Sequence, residues 1–350
     1  MKMIKKNQKY KLIVAILRIV SMQKHINMKK ILLSVVLICV MFFMFGLNSE
    51  ASTLVNLKNG DGSKNVTYRG SSIVVQIPDA YELTTTEFRA AWVSTFVSDI
   101  KTYSTEAAWK TEVADVLKVF KEYNLNAMIF HVRTHNNALY KSELNPIATW
   151  FSNVNFDEFD PLAYLIDECH KAGIEFHAWM NPYRISTNTT DIPTAIKNGQ
   201  YLGEALPSVN VANKAENLIN GEGGVILNPG LQVVRDFIVD TCMEVVENYD
   251  VDGLHMDDYF YPYSKIPREL EEEDYQAALI NNPELSFDDW RRDNVNRMIE
   301  SVHNELKKLL DNTGKKVDFG ISPFGIYRTN IELDPNGWSE GSYHATGVCE

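Results

Sequence analysis

An α/β barrel of the TIM type is the architecture to expect from this chain of 350 residues. Three features argue for it. Strand-like and helix-like segments alternate, which makes a parallel sheet with crossover helices. The stretches after strands are long, about 26, 47 and 29 residues after the second, third and fourth, whereas those after helices are short. Several strands also turn polar at the same end. Long loops gathered on one face are the mark of a (β/α)8 barrel. An open doubly wound sheet competes, but no Gly-rich phosphate turn follows the first strand.

Residues 1–30 hold nine Lys or Arg and no acid, ahead of the apolar run Ile31–Gly46 and then Asn48-Ser49-Glu50-Ala51. This order is that of a secretory signal, complete from Met28 to Ala51, with residues 1–27 as an upstream extension. The apolar run is a little short for a membrane span. The expected location is therefore exported, extracellular or in the cell envelope, with membrane contact only through an uncleaved signal. Residues 52–86 are a polar lead-in with one strand-like patch, Ile73–Ile77. Residues 87–350 are the barrel domain.

Within that domain, 89–95 reads as the first strand and 105–123 as a helix with Trp109, Val113, Val116, Leu117 and Phe120 on one face. Residues 127–133 form the second strand. Asp160-Pro161 starts a helix as N-cap and first-turn proline, and Gly173 ends it. Residues 174–180 form the third strand. Asn228-Pro229-Gly230 opens a helix running to about Tyr249, and 251–257 is the fourth strand. Ser286-Phe287-Asp288-Asp289 resembles a capping box with Asp in place of Glu, before a helix that stops near Gly314. Residues 317–323 form the fifth strand. Five units are present where a closed barrel needs eight, so the expectation is a barrel incomplete at its C-terminus.

The net charge is −12, and about −20 without residues 1–51. So acidic a surface repels polyanions, and nucleic acid is not an expected partner. Cys169 and Cys242 fall in apolar helical patterns and read as small core residues. No disulfide or metal spacing is evident, and no cofactor is expected.

The chemistry concentrates in VDGLHMDDYFYPY, residues 251–263. Alternation puts Gly253, His255 and Asp257 on the inward face of the fourth strand, with Asp257 at the rim where barrel enzymes keep catalytic groups. Asp258 turns sideways. On the second strand Ile129, His131 and Arg133 share a face, with Thr134, His135, Asn136 and Asn137 on the rim. On the third, His177, Trp179 and Asn181 share a face, followed by Tyr183 and Arg184. On the fifth, Gly320, Ser322 and Phe324 alternate with Ile321 and Pro323. Glycosidic hydrolysis needs two carboxyls, aromatic faces to stack on sugar rings, and Asn, Arg or His for hydroxyls. Asp257 with Trp179, Tyr259, Phe260, Tyr261 and Tyr263 fits that inventory. Its partner carboxyl is open, with Glu143, Asp157 and Glu222 as rim-loop candidates. Two rival readings stay open: a metal-dependent hydrolase or deacetylase of polysaccharide, with His131, His177, His255 and Asp257 converging on zinc, and a non-catalytic carbohydrate-binding barrel.

Six blocks, FRAAWVST (88–95), NAMIFHVRTHNNALY (126–140), GIEFHAWMNPYRI (173–185), LNPGLQVVRDFI (227–238), VDGLHMDDYFYPY and FGISPFGIYR (319–328), occur in this order. Together they resemble the glycosyl hydrolase-like 10 family of exported bacterial proteins. The resemblance implies a TIM-type barrel and glycoside hydrolase activity on bacterial cell-wall glycan, with peptidoglycan-type strands as substrate. It places Asp257 at the family's rim Asp, and His131, Arg133, Asn181 and Arg184 at its polar rim positions. Family members continue beyond a loop resembling IYRTNIELDPNG (326–337) with further strands and helices. The expected catalytic residues are thus Asp257 and Asp258. The expected substrate contacts are His131, Arg133, His135, Asn136, Trp179, Asn181, Tyr183, Arg184, His255, Tyr259, Tyr261, Ser322 and Arg328.

Overall fold

The computed structural model describes residues 53–67, 72–79, 87–97, 99–100, 104–151, 153–199, 201, 205–221, 224–262 and 266–323. The signal segment, Glu222, Tyr263 and Arg328 lie outside them. The chain divides into two compact units, Met1–Leu83 and Thr84–Glu350. In the first, β1 (Leu54–Asn56) and β2 (Gln76–Pro78) pair antiparallel. The strand expected over 73–77 thus sits later, and Ile73 and Ile77 are exposed.

The second unit runs β3 (Ala90–Val93), α1 (Glu106–Glu122), β4 (Ala127–Arg133), α2 (Pro161–Lys171), β5 (Glu175–Met180), β6 (Arg184–Ser186), α3 (Ile192–Lys197), β7 (Leu218–Gly221), β8 (Gly224–Leu227), α4 (Gln232–Asn248), β9 (Gly253–Met256), α5 (Glu272–Leu279), α6 (Phe287–Thr313) and β10 (Asp318–Ile321). Five strands form a parallel sheet in the order β3-β4-β5-β9-β10. Each strand lies beside its predecessor in that sheet and the order never reverses. A doubly wound sheet needs a reversal. One-way progression with a helix in each crossover is how a barrel wall is built. Closure of the wall falls outside the described residues.

The helices form for local reasons that also fix their packing. Asp160 Oδ1 accepts from the backbone N–H of Leu162 and Ala163, and Pro161 occupies the first turn of α2. Its Leu162, Leu165, Ile166 and Cys169 stripe is buried, and Gly173 closes the turn at φ 71°. In α6 the Ser286 hydroxyl accepts from Asp289 N and donates to the Asp289 carboxylate, so Ser286 caps the helix while Asp289 holds its hydroxyl rather than closing a full capping box. Gly314, at φ 77°, ends it.

The parallel sheet has two faces. Met128, Phe130, Val132, Phe176, Ala178, Met180, Leu254 and Met256 are buried in the apolar core that also takes in the helices. Each of these side chains larger than alanine contributes roughly 1.5–3 kcal/mol by leaving water. The other face carries Trp92, Ile129, His177 and His255 and opens onto a cavity of about 490 Å³. Gly253 lies on it because a Cβ there would meet His177 Nδ1 at 2.0 Å.

Three expectations need correction. The long stretch after β5 is not simply a loop: β6, β8 and β7 make a separate antiparallel sheet of three short strands. The fourth helix starts at Gln232, because Asn228 Oδ1 accepts from Gly230 N and turns Asn-Pro-Gly into a bend ahead of it. The fourth strand ends at Met256, one residue before Asp257.

Candidate active site

Asp257 stands just past the end of β9, where the chain leaves the sheet. Its Oδ2 accepts from Trp179 Nε1 at 3.2 Å. Its Oδ1 accepts from Tyr259 N at 2.9 Å and from Asn181 Nδ2 at 3.4 Å. Both side-chain donors come from the end of the neighbouring strand β5, so parallel pairing of β5 with β9 brings them to the carboxylate. Burial pushes the Asp257 carboxyl above the usual carboxylate range. The Tyr259 N–H and the Arg184 charge oppose that rise, and Asp258 adds to it. Asp258 is half-buried.

Around this carboxylate the polar side chains form a nested set. The His131 ring lies flat on Trp179, with centroids 3.8 Å apart and planes 6° apart. Both its nitrogens are buried without a partner, and burial holds its pKa well below the ordinary value. The Arg184 guanidinium stacks between Tyr259, at 4.1 Å, and Phe96, at 4.9 Å, and donates to Thr134 O. Asn181 Oδ1 accepts from Arg184 N, so one amide fixes both Asp257 and the Arg184 backbone. His255 Nε2 lies 3.2 Å from Trp92 Nε1, which can only donate, and 3.0 Å from Ser322 Oγ. Burial brings its pKa down to about 4, so the ring is a neutral acceptor at that nitrogen.

The site residues read from the sequence therefore separate. Asp257, Asp258, Trp179, His255 and Ser322 gather at or just below the strand ends on the open face, with Arg184 and Tyr259 beside them. Several expected sugar contacts lie buried among protein partners. Arg133 is 1% exposed and spends its donors on Asn145, Asn136 and the carbonyls of Asn181 and Pro182; burial lowers its pKa to about 10. Asn136 is bonded to Arg133 and to Asn210. Tyr183 is completely buried. Tyr261 is buried too, its hydroxyl donating to Glu271 at 3.0 Å. These side chains brace the loops beneath the rim. His135 is likewise buried, against Thr134 and edge-on to Phe96, with its pKa lowered by burial to about 3.

Glu143 and Asp157 have other neighbours. Glu143 lines a different cavity with Asp236, Glu244 and Glu305, on the helix side, and Asp157 pairs with Lys141 at 2.8 Å. Among the described residues no three of His, Cys, Asp and Glu converge in a metal-holding group. His177 instead bonds Glu175 at 3.2 Å. Trp92 and Phe96 were missed in the sequence. Alternation along β3, extended past its end, would have put Trp92 on the inward face beside His255.

Residues 87–343 match the glycosyl hydrolase-like 10 family. The chain is 35% identical over 261 residues to glycosyl hydrolase YngK of Bacillus subtilis (strain 168), covering 72% of this chain and 47% of that protein. It is 34% identical over 226 residues to glycosyl hydrolase DigH of Escherichia coli (strain K12), covering 64% and 49%. The chain thus spans about half the length of the curated relatives it matches. Among solved structures, a GH20 exo-β-N-acetylglucosaminidase from Vibrio harveyi aligns over 71% of this chain and 37% of its own at 12% identity and a TM-score of 0.42. An α-L-fucosidase isoenzyme 2 from Paenibacillus thiaminolyticus aligns over 63% and 31% at 13% identity and 0.37.

Proposed function

The chain belongs to the glycosyl hydrolase-like 10 family, and from that premise we propose that it is an exported glycoside hydrolase acting on a bacterial cell-envelope glycan of the peptidoglycan type. The observation that carries the reading is the Asp257 carboxyl. It is inward-facing at a strand's C-terminal end, oriented by Trp179, Asn181 and Tyr259, and raised in pKa by burial. A carboxyl whose pKa is raised holds its proton to higher pH and can give it to a glycosidic oxygen. Ionised, the same group in the same geometry can attack the anomeric carbon. Asp258 is the second acidic group of the reading. Arg184, His131 and His255 set the field around Asp257, and Trp179 offers an aromatic surface beside it. Export rests on the Met28–Ala51 segment, and the glycan on family membership together with this aromatic, amide-rich rim.

The test incubates purified protein with isolated cell-wall glycan strands and counts new reducing ends, beside Asp257→Asn. Ends released by the parent and lost in the variant support a glycosidase with this carboxyl at its centre. No release from a cooperatively folded protein overturns the hydrolase reading and leaves a binding protein. Release that survives Asp257→Asn keeps the activity and moves the site. Release abolished by a chelator transfers the chemistry to a metal.

A further inference from the structure

Arg184 carries a buried charge, and among the described residues it enters no ion pair. It is 6% exposed, and both faces of its guanidinium are covered, by Tyr259 at 4.1 Å and by Phe96 at 4.9 Å. Its Nη1 donates to Thr134 O at 3.2 Å, and its Nε is sealed from solvent. Taking a charge out of water is costly, so a buried cation draws on any acid near it for a counter-charge.

Two short paths lead from Arg184 to such an acid. Asn181 Oδ1 accepts from Arg184 N at 3.2 Å, and Asn181 Nδ2 donates to Asp257 Oδ1 at 3.4 Å. The guanidinium also rests on the ring of Tyr259, whose backbone N–H donates to the same Asp257 oxygen at 2.9 Å. The other groups around Asp257 do not duplicate this charge. His131 and His135, from β4 and the loop after it, and His255, from β9, are kept neutral by burial, and Arg184 itself helps to keep the first two so. Arg133 has its donors spent beneath the rim. Trp179 and Asn181, from the end of β5, offer uncharged donors, and burial pushes the Tyr259 phenol up. Asp258 works the other way and favours the protonated acid, whereas Arg184 is the cation that favours the carboxylate.

We propose that Arg184, clamped between the loop after β3 and the loop after β9, is the positioning residue that keeps Asp257 able to give up its proton. This rests on Asp257 being the reacting group of the hydrolase reading and assigns Phe96 and Tyr259 a part in it. Burial alone makes a carboxyl hold its proton firmly. A fixed cation nearby stabilises the carboxylate that remains once the proton has passed to a leaving oxygen. The two rings keep water from screening that cation and stop it swinging away. With both faces and one edge covered, Arg184 acts through Asp257 and not by gripping the sugar.

The first measurement needs no substrate. The full chain is isotope-labelled at its aspartate carboxyls, the Asp257 signal is identified by its loss in Asp257→Asn, and pH is varied. In Arg184→Gln the Asp257 midpoint should rise by about one unit, the low end of the effect of a neighbouring charge. Arg184→Lys keeps the charge and should move it by less than about half a unit. Phe96→Leu uncovers one face of the guanidinium and should raise it by about half a unit as water screens the charge. An Asp257 midpoint that stays or falls in a folded Arg184→Gln overturns the proposal; where that variant does not fold, the same result in Phe96→Leu overturns it. On cell-wall glycan strands Arg184→Gln should lower kcat and move the Asp257 limb of the pH–rate profile upward, with KM little changed. A rise in KM alone makes Arg184 a sugar contact and also overturns it. A shifted midpoint in a protein that releases no reducing ends sinks the hydrolase reading alone. Cleavage by a protein whose Asp257 midpoint ignores Arg184 sinks this inference alone.

Discussion

Arg291→Met gives the sharpest test of how the loop after β9 is held. Arg291 and Glu271 form an ion pair with 6% and 0% side-chain exposure. Arg291 Nε donates to Glu271 Oε2 at 2.8 Å, and Nη2 donates to the same oxygen and to Ile266 O. The Tyr261 hydroxyl takes the other Glu271 oxygen. Met fills the volume but strands a carboxylate. Removing one partner of a buried pair costs roughly 3–5 kcal/mol. At about 2–4 °C per kcal/mol for a domain of this size, the unfolding midpoint should fall by about 10 °C. The pH dependence has a definite sign. Burial already holds Glu271 above its ordinary range, against the Arg291 charge. Without that charge its folded pKa rises further, while the unfolded value stays near 4.5. The folded variant then keeps a proton the unfolded chain has lost, so the deficit is full above the folded pKa and shrinks as pH falls toward 4.5. Denaturant unfolding at pH 7.5 and pH 5, with Glu271→Leu/Arg291→Met alongside, reads this directly. The double variant should recover part of the loss. A cost under about 1 kcal/mol at pH 7.5, below the cited range, or an equal cost at both pH values, would refute the buried-pair account.

Asp257→Asn should lower glycan cleavage by about 10²–10⁴-fold, the usual range for a general acid or base, with an unfolding midpoint close to the parent's. If Asp257 acts as the acid, parent activity should decline as pH rises through its elevated pKa, and a pH–rate profile shows it. His255 and His135 are held neutral by burial, at about 4 and about 3. Their contribution is present above pH 6.5 and is lost as pH falls through those values, because only the unfolded chain takes up the protons. For His255 this is about 3 kcal/mol at most, and His255→Gln should flatten that part of the midpoint-against-pH curve. Gly224 sits at φ 130°, where a Cβ would lie 1.9 Å from Ser186 O. Gly224→Ala should therefore destabilise the β6–β8 pairing by roughly 1–3 kcal/mol or more, measured by local hydrogen exchange.

Much of the parallel sheet was legible because its rules are local. Strand alternation separates Leu254 and Met256 from His255 with no knowledge of the rest, and Asp160-Pro161 announces α2 by its own capping chemistry. The antiparallel β6-β8-β7 sheet was not legible. Its strands are three or four residues long; β7 and β8 are near neighbours in the chain, but β6 joins them by pairing with a segment more than 30 residues on, where a glycine lets the backbones nearly touch. The depth of the polar side chains at the rim was not legible either. Alternation tells which way a side chain points and not how deep it lies. Arg133 and Trp179 look equally available in sequence, yet one is spent on four protein acceptors and the other stands half-buried beside Asp257.

That difference in depth bears on what Asp257 can do. The sequence offers two carboxylates in succession, whose side chains diverge. The fold makes them unequal: both are half-buried, but Asp257 is held by three donors and its carboxyl is pushed up by burial. Inequality of environment is what lets two acids take different parts in one reaction. The donors on Asp257 fix its oxygens, whereas the surrounding burial favours its neutral form. Orientation and proton retention together are what proton donation to a leaving oxygen requires. Trp179 links the two effects, because its indole N–H orients Oδ2 while its ring, backed by His131, helps exclude water. Trp179→Phe keeps the ring and removes the donor, so it should spare saccharide stacking and loosen the carboxyl. A fall in kcat with KM little changed would locate the Trp179 contribution in the reacting carboxyl; a rise in KM alone would place it in sugar binding and take that support away from Asp257.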